Sequence, residues 1–301
     1  MNGVVAGTLA ALVGVLVIAE VVLFALRHRE HGELSRRIRS WWVIVLATGA
    51  ALLLGPVAVL VALALVSYLA LKEYFSVVPL RQGDRVVLLV AYLAVPTQWW
   101  WIAEHAYGLF IVWVPVYLFV LLPSVMVLRG ETAGYLRALG TLFWGLVLCV
   151  FAIGHVAYLY VLPADSAAGA GLLLALLLLA QGNDVAQYVW GRALGRHGIA
   201  PAVSPNKTVE GFVGGLLTTT ALSVAVVPQL TPLSWPVALA AGPLVAVSGF
   251  LGDLTMSAVK RDLGVKDTGR LIPGHGGVLD RVDSLVFTAP LFFHLVRYIH
   301  Y

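Results

Sequence analysis

The residues best suited to chemistry lie in the second half of the 301-residue chain, inside or beside strongly apolar stretches. Asp253, Ser257 and Lys260 fall at i, i+4 and i+7, a spacing that places them on one helix face. An acid, a hydroxyl and an ammonium thus share that face. A dense polar stretch follows: Lys260 and Arg261, Lys266 and Asp267, then Pro273, His275, Gly276 and Gly277, then Asp280, Arg281 and Asp283. Asp280 and Asp283 are i, i+3 and meet if their segment is helical. With Asp253 they form a three-carboxylate set, so the expected metal ligands are Asp253, Asp280 and Asp283. Oxygen ligands of this kind suit Mg²⁺, which prefers one or two carboxylates, waters and substrate phosphates. A second cation is compatible with the set, and no Cys or His cluster points to zinc. The surrounding Lys and Arg are what an anionic, phosphate-bearing substrate needs. Glycines at 269, 274, 276 and 277 let backbone approach phosphate oxygens closely.

A second polar block precedes this one. Asn183, Asp184, Gln187, Tyr188 and Gly191 close an apolar run, with positions 184, 187, 188 and 191 at helical spacing, so its last turns carry a polar face. A polar loop then holds Ser204, Pro205, Asn206, Lys207, Thr208, Glu210 and Gly211.

The elements that must position these residues are membrane helices. Sixty per cent of the chain is apolar, 11% is charged and the mean hydropathy is +0.94; soluble domains carry about 25% charged residues. A water-soluble fold, a disordered chain and a disulfide-stapled module are poor fits, and the single Cys149 lies in an apolar run. Apolar runs occur at about 4–26, 41–55, 57–71, 86–103, 108–128, 141–162, 170–191, 212–230, 236–259 and 284–299, each read as a bilayer span. The first lacks the basic flank of a cleaved signal peptide and reads as a retained helix. Stretch 41–71 reads as two short spans broken at Gly55-Pro56, because proline disfavours helix at the residue before it.

Charge supports that choice. With a hairpin there, loops 27–40, 72–85, 129–140, 192–211 and 260–283 share one side, with 18 of the 19 Lys and Arg residues, all but Arg297. The positive-inside rule makes that side cytoplasmic. The expected architecture is all-α: a polytopic integral membrane protein of about ten spans, two of them short, with a polar site at the cytoplasmic interface. Residues 1–170 would form six spans and residues 171–301 a catalytic region of four, within one membrane domain. Trp99, Trp100 and Trp101 read as an interfacial belt. Glu20 reads as a snorkelling or paired residue, and His155 as a hydrogen-bonded core residue.

The stretch from Ser257 through Lys260, Arg261, Lys266, Asp267, Gly269, Ile272, Pro273, His275, Gly276, Gly277, Asp280 and Arg281 to Asp283 resembles the long signature of the phosphatidate cytidylyltransferase (CDP-diacylglycerol synthase) family. The blocks Asn183-Asp184, Gly191-Arg192 and Ser204-Pro205, Lys207-Thr208, Glu210-Gly211 resemble that family in its order, so the likeness covers about residues 180–284. Asn206 departs from it where many members have a second Lys, and Val209 where many have Trp. The resemblance implies a reaction of CTP with phosphatidate that gives CDP-diacylglycerol and pyrophosphate in phospholipid biosynthesis. It implies catalytic roles for Asp253, Ser257, Lys260, Asp280 and Asp283. Asn183, Asp184, Ser204, Lys207, Glu210, Arg261, Lys266, Asp267, His275, Gly276, Gly277 and Arg281 would contact substrate. Membrane lipids would surround the protein in a bacterial inner membrane, and a homodimer is compatible with the family. The residues fit the reaction independently, since a phosphate monoester is already an anionic nucleophile near neutral pH and no general base is required.

Three other readings compete. The loop chemistry would serve another CTP-dependent transferase acting on a different lipid phosphate. A transporter or scramblase would want midplane carboxylates on broken helices in paired halves, and the acids here cluster at one end of the second half. An inactive paralogue conflicts with the retained Asp, Lys and glycine set. Nucleic-acid binding is excluded by basic residues that form short juxtamembrane clusters rather than a continuous surface.

Overall fold

The computed structural model describes residues 3–25, 32–81, 83, 85–130, 132–269 and 276–301. Among these, ten helices dominate. They are α1 (Gly3–Ala25), α2 (Gly32–Leu54), α3 (Pro56–Val77), α4 (Arg85–Ala103), α5 (Tyr107–Leu128), α6 (Tyr135–Val161), α7 (Ser166–Leu194), α8 (Val209–Leu230), α9 (Trp235–Asp262) and α10 (Leu285–His300). Eight are long and apolar enough to cross a bilayer, and two further apolar segments, Trp41–Leu54 and Leu285–His300, are shorter. The protein is therefore an all-α, polytopic integral membrane protein. A small antiparallel hairpin, β1 (Gly198–Ala200) with β2 (Ser204–Thr208), is the described exception. Single π-helical stretches interrupt α5 at Trp113–Leu118 and α6 at Val147–Ala152.

The break in stretch 41–71 falls at Gly55, whose φ of 101° suits glycine, and Pro56 opens α3 where its missing N–H has no helical partner to lose. The expectation of two short spans holds for the first, whose apolar part is Trp41–Leu54, and needs correction for the second, Pro56–Val77. Helix α2 begins at Gly32 rather than 41, so Arg36, Arg37 and Arg39 lie on helix instead of in a loop. Helix α3 runs on to Val77, because Tyr74 and Phe75 continue its buried stripe and extend the helix past the apolar run. That extension brings Glu73 to the end of the bundle where the polar loops lie.

Hydrogen bonds fix α3 within the first half. The Ser67 hydroxyl donates to the Cys149 carbonyl (2.6 Å) and the Tyr74 hydroxyl to the Thr141 carbonyl (3.0 Å). The Trp99 indole donates to the Leu60 carbonyl (2.9 Å). His155 is enclosed, its Nδ1 2.8 Å from the Phe151 carbonyl, as expected of a core residue. In the second half, α7, α8 and α9 approach closely through small residues, as membrane helices do when packing drives association. A Cβ at Gly211, for example, would lie 2.8 Å from the Gln187 carbonyl, so glycine there lets α8 sit against α7. Thr208 caps α8, its hydroxyl accepting the Gly211 N–H (3.1 Å), and this holds β2 directly over the α7–α8 contact.

Candidate active site

Two helix ends, one strand and one loop converge at one end of the bundle. Helix α7 supplies Asp184 and Gln187, β2 supplies Lys207, α9 supplies Asp253, Ser257 and Lys260, and the segment before α10 supplies Asp280, Asp283 and Ser284. A cavity of ≈ 190 Å³ opens among Asp184, Gln187, Tyr188, Ser204, Lys207 and Asp253.

The expected face of α9 forms. Ser257 Oγ donates to Asp253 Oδ1 (3.4 Å), and Lys260 lies a turn further on. The two lysines divide between two carboxylates. Lys207 makes an ion pair with Asp253, donates to Gln187 Oε1 (3.3 Å) and sits over the Phe250 ring at 5.2 Å. Lys260 donates to Asp280 Oδ1 at 2.9 Å, with both side chains largely enclosed.

Asp280 and Asp283 have different hydrogen-bond partners. Only Leu279–Arg281 forms a short 3₁₀ turn, so the i, i+3 pairing expected of a longer helix fails. Asp280 turns into the loop. Its Oδ2 accepts the Thr268 N–H (2.8 Å), the Thr268 hydroxyl (3.0 Å) and the Gly277 N–H (3.0 Å), while Oδ1 takes Lys260. Burial alone would push this carboxyl up, but the Gly277 amide, the Lys260 ammonium and the Thr268 amide together hold it below the usual carboxylate range. Asp283 Oδ1 accepts the Ser284 N–H instead. Burial raises its carboxyl well above the usual range, and the neighbouring Asp253 and Asp184 carboxylates raise it further against the opposing Lys260 charge.

The carboxylates that sense one another are therefore Asp184, Asp253 and Asp283. The expected set of Asp253, Asp280 and Asp283 is not assembled, because four donors already occupy Asp280. Among the described residues no group of three or more His, Cys, Asp or Glu stands ready to hold an ion. The donor chemistry of Asp184, Asp253 and Asp283 suits a hard divalent cation: Ser284 bonds both Asp184 and Asp283, and among the described residues Asp184 Oδ1 is buried with no hydrogen-bond partner.

The remaining expected residues divide as follows. Lys207 and Ser204 line the cavity. Asn183 is fully enclosed and stitches helices, donating to the Ala246 carbonyl (3.4 Å) and accepting from Thr219 Oγ1 (3.2 Å). Glu210 accepts the N–H groups of Arg196 (3.0 Å) and His197 (3.2 Å) and pairs with the His197 ring (2.6 Å), which ties the end of α7 to the start of α8. Arg261 donates to the Val203 carbonyl in the hairpin turn (3.3 Å). Lys266 and Asp267 are exposed. Gly276, with φ of +76°, lies against Asp280 and Asp267, and Gly277 donates to Asp280. Arg281 acts electrostatically on Asp184, and its Nε is buried with no hydrogen-bond partner. His275 lies outside the described residues.

Sequence reasoning missed two contributors. Ser284 bridges two of the acids, its hydroxyl donating to Asp184 Oδ2 (2.8 Å) and its N–H to Asp283 Oδ1 (2.9 Å). Its place immediately before an apolar run is a helix-cap signal that could have singled it out. Glu73 comes from the first half, and its Oε2 accepts the Leu279 N–H (2.9 Å) across 206 positions. No local pattern identifies it.

Comparison with known proteins comes from two directions. The cytidylyltransferase family matches residues 35–299. A protein of Escherichia coli (strain K12), described as uncharacterized protein YnbB, is 42% identical over 299 residues, covering 98% of this chain and 99% of its own length. Phosphatidate cytidylyltransferases of Staphylococcus haemolyticus and Staphylococcus saprophyticus are 36% and 39% identical over 154 and 155 residues. Those matches cover 50% of this chain and 58% of each relative.

Proposed function

Because this chain belongs to the cytidylyltransferase family, we propose that it transfers a cytidylyl group from CTP to phosphatidate, giving CDP-diacylglycerol and pyrophosphate. One observation carries the reading: Ser284 joins Asp184 to Asp283, Asp184 and Asp253 line one cavity at the end of a membrane bundle, and Lys207 and Lys260 are paired with acids beside them. Acids held so close favour a bound cation, and lysines beside them favour phosphate.

In this mechanism a lipid phosphate oxygen forms a new bond to the α-phosphorus of CTP, and the bond from that phosphorus to the bridging oxygen breaks, releasing pyrophosphate. The lipid phosphate is already anionic, so no side chain need remove a proton from it. The task is alignment of two anions, and charge neutralisation is the main aid to phosphoryl and nucleotidyl transfer. Asp184, Asp253 and Asp283 would hold Mg²⁺, which when bound neutralises and orients phosphate oxygens. Lys207 holds an ammonium at the cavity wall, where it can meet the triphosphate. Lys260, fixed by Asp280, holds a second ammonium on the α9 face. Ser257 orients the Asp253 carboxylate. Ser284 orients Asp184 and Asp283 together.

The lipid reading has separate support. An apolar groove of ≈ 410 Å³ runs between α9 and α10, lined by Pro243, Leu244, Val247, Leu251, Phe287 and Leu291. Its lower end lies beside Gly252, where a Cβ would meet the Asp283 carbonyl and Phe287. An acyl chain in that groove would bring its phosphate to the acids. The concentration of Lys and Arg in the loops at the site's end favours a cytoplasmic orientation in an inner membrane, where CTP is available. Residues 171–301 then form the catalytic region, and residues 1–170 the membrane wall against which it packs.

The test is turnover of CTP by the purified protein in liposomes containing phosphatidate, with Mg²⁺ present or chelated. CDP-diacylglycerol should accumulate only with both the lipid and the cation. Preferential turnover of a polyprenyl or ether-lipid phosphate in competition would reassign the lipid. No nucleotide transfer to any lipid phosphate would reject the reading.

A further inference from the structure

We infer that Glu73, at the inner end of α3, is a positioning residue that holds the signature loop of the second half in its working shape. The inference rests on the reaction proposed above and adds a residue from outside the signature blocks at about residues 180–284.

Helix α3 is a rigid mount. Three hydrogen bonds tie it to α4 and α6, and Leu71, Tyr74 and Phe75 are buried around the position of Glu73. From this mount one carboxylate oxygen accepts the Leu279 N–H at 2.9 Å. Leu279 opens the 3₁₀ turn that carries Asp280, and Asp283 follows three residues later. The loop folds closely around the carboxylate. A Cβ at Gly269 would lie 2.8 Å from Glu73 Oε1, and one at Gly277 would overlap Oε2. Both positions are glycine because the acid occupies that space. Asp280 grips the same loop from within, through Thr268 and Gly277. The loop is thus clamped between two carboxylates, one its own and one contributed by the first half of the chain.

Packing alone does not account for this acid. Among the described residues Glu73 Oε1 is buried with no hydrogen-bond partner, a costly arrangement for a group whose only task is to fill space. The other oxygen makes its bond to the turn leading to Asp280 and Asp283, and a shift of the turn moves both acids. Misplacement by about 1 Å of groups that align phosphates slows transfer by about a hundredfold.

The test uses the full-length protein in liposomes, with turnover per folded molecule and hydrogen exchange of residues 276–284 measured side by side. Glu73→Ala should lower kcat by at least about tenfold, with a smaller change in KM for CTP, and should speed exchange of the loop by a similar factor while the rest of the chain is unchanged. Glu73→Gln, whose amide oxygen can still accept from Leu279, should recover kcat to within about threefold. Gly277→Ala should be damaging beside Glu73 but should cost less than about a further threefold in the Glu73→Ala background, because the overlapping oxygen is gone. Unchanged kcat per folded molecule in Glu73→Ala, or losses in the double variant equal to the product of the two single losses, would overturn the inference. Were the native protein to transfer no nucleotide, the proposed reaction would fail, and the loop's exchange in Glu73→Ala would still decide the positioning role: faster exchange supports it and native exchange overturns it.

Discussion

Two acidic neighbourhoods lie within a few residues of each other and are built on opposite plans. Around Asp280 both carboxylate oxygens have donors: Thr268 twice and Gly277 on Oδ2, and Lys260 on Oδ1. Around Asp283 two more acids act on its carboxyl, and among the described residues the buried atoms Asp184 Oδ1 and Arg281 Nε have no hydrogen-bond partner. The first plan gives stability and shape, since satisfied buried charges hold a loop. The second sets several acids beside two lysines, an arrangement that suits the cation and phosphates of the proposed reaction. Two aspartates three positions apart therefore have different work, which spacing alone would have pooled.

The sharpest way to break this comparison is to neutralise each acid. Asp283→Asn should lower CTP turnover by at least about 10²-fold, the scale for removing a preorganised charge from a reacting centre. The thermal midpoint should hold or rise, because the change removes repulsion with Asp184 and Asp253. A midpoint falling in step with activity would erase the distinction.

Asp280→Asn should lose both properties. The substitution leaves Lys260 without its counter-charge and presents an amide to donors, and breaking a buried pair costs about 3–5 kcal/mol. Turnover and thermal midpoint should drop together in parallel assays. Native stability with lost turnover would place Asp280 with the reacting acids instead.

Glu210→Ala sharpens the comparison at the cavity's edge. It releases Arg196 and His197 from the start of α8, so the hairpin bearing Lys207 loosens. KM for CTP should rise by less than about tenfold with kcat little changed, as for loss of binding shared by ground and transition states. A kcat loss matching that of Asp283→Asn would mean that Glu210 contacts the reacting groups.

The smallest effect on chemistry should come from the opposite end of the bundle. A Cβ at Gly169 would overlap the Tyr160 carbonyl, so Gly169→Ala forces α6 and α7 apart and should cost about 1–3 kcal/mol of stability. Turnover per folded molecule should stay native. A selective loss of turnover would tie that distant contact to the site.

The sequence was legible wherever local chemistry repeats at a fixed period. Apolar runs too long for a soluble core marked the spans, and the glycine-proline pair at 55–56 marked the break between α2 and α3. Asp253, Ser257 and Lys260 could be placed on one face because helical spacing is invariant. The length of α3 was misread because aromatic residues continued its buried stripe after the aliphatic run ended.

By itself, then, the order of residues determined that this chain is a membrane helix bundle whose densest polar and charged clusters lie in its second half, because burial and periodicity are written locally. Tertiary structure alone decided which acids face one another. Asp280 is withdrawn by four donors that only the folded loop assembles, Asp184 is brought beside Asp283 by Ser284, and Glu73 crosses from the other half of the chain. These choices depend on which helix ends meet, and no spacing within a segment encodes a contact between positions 206 residues apart.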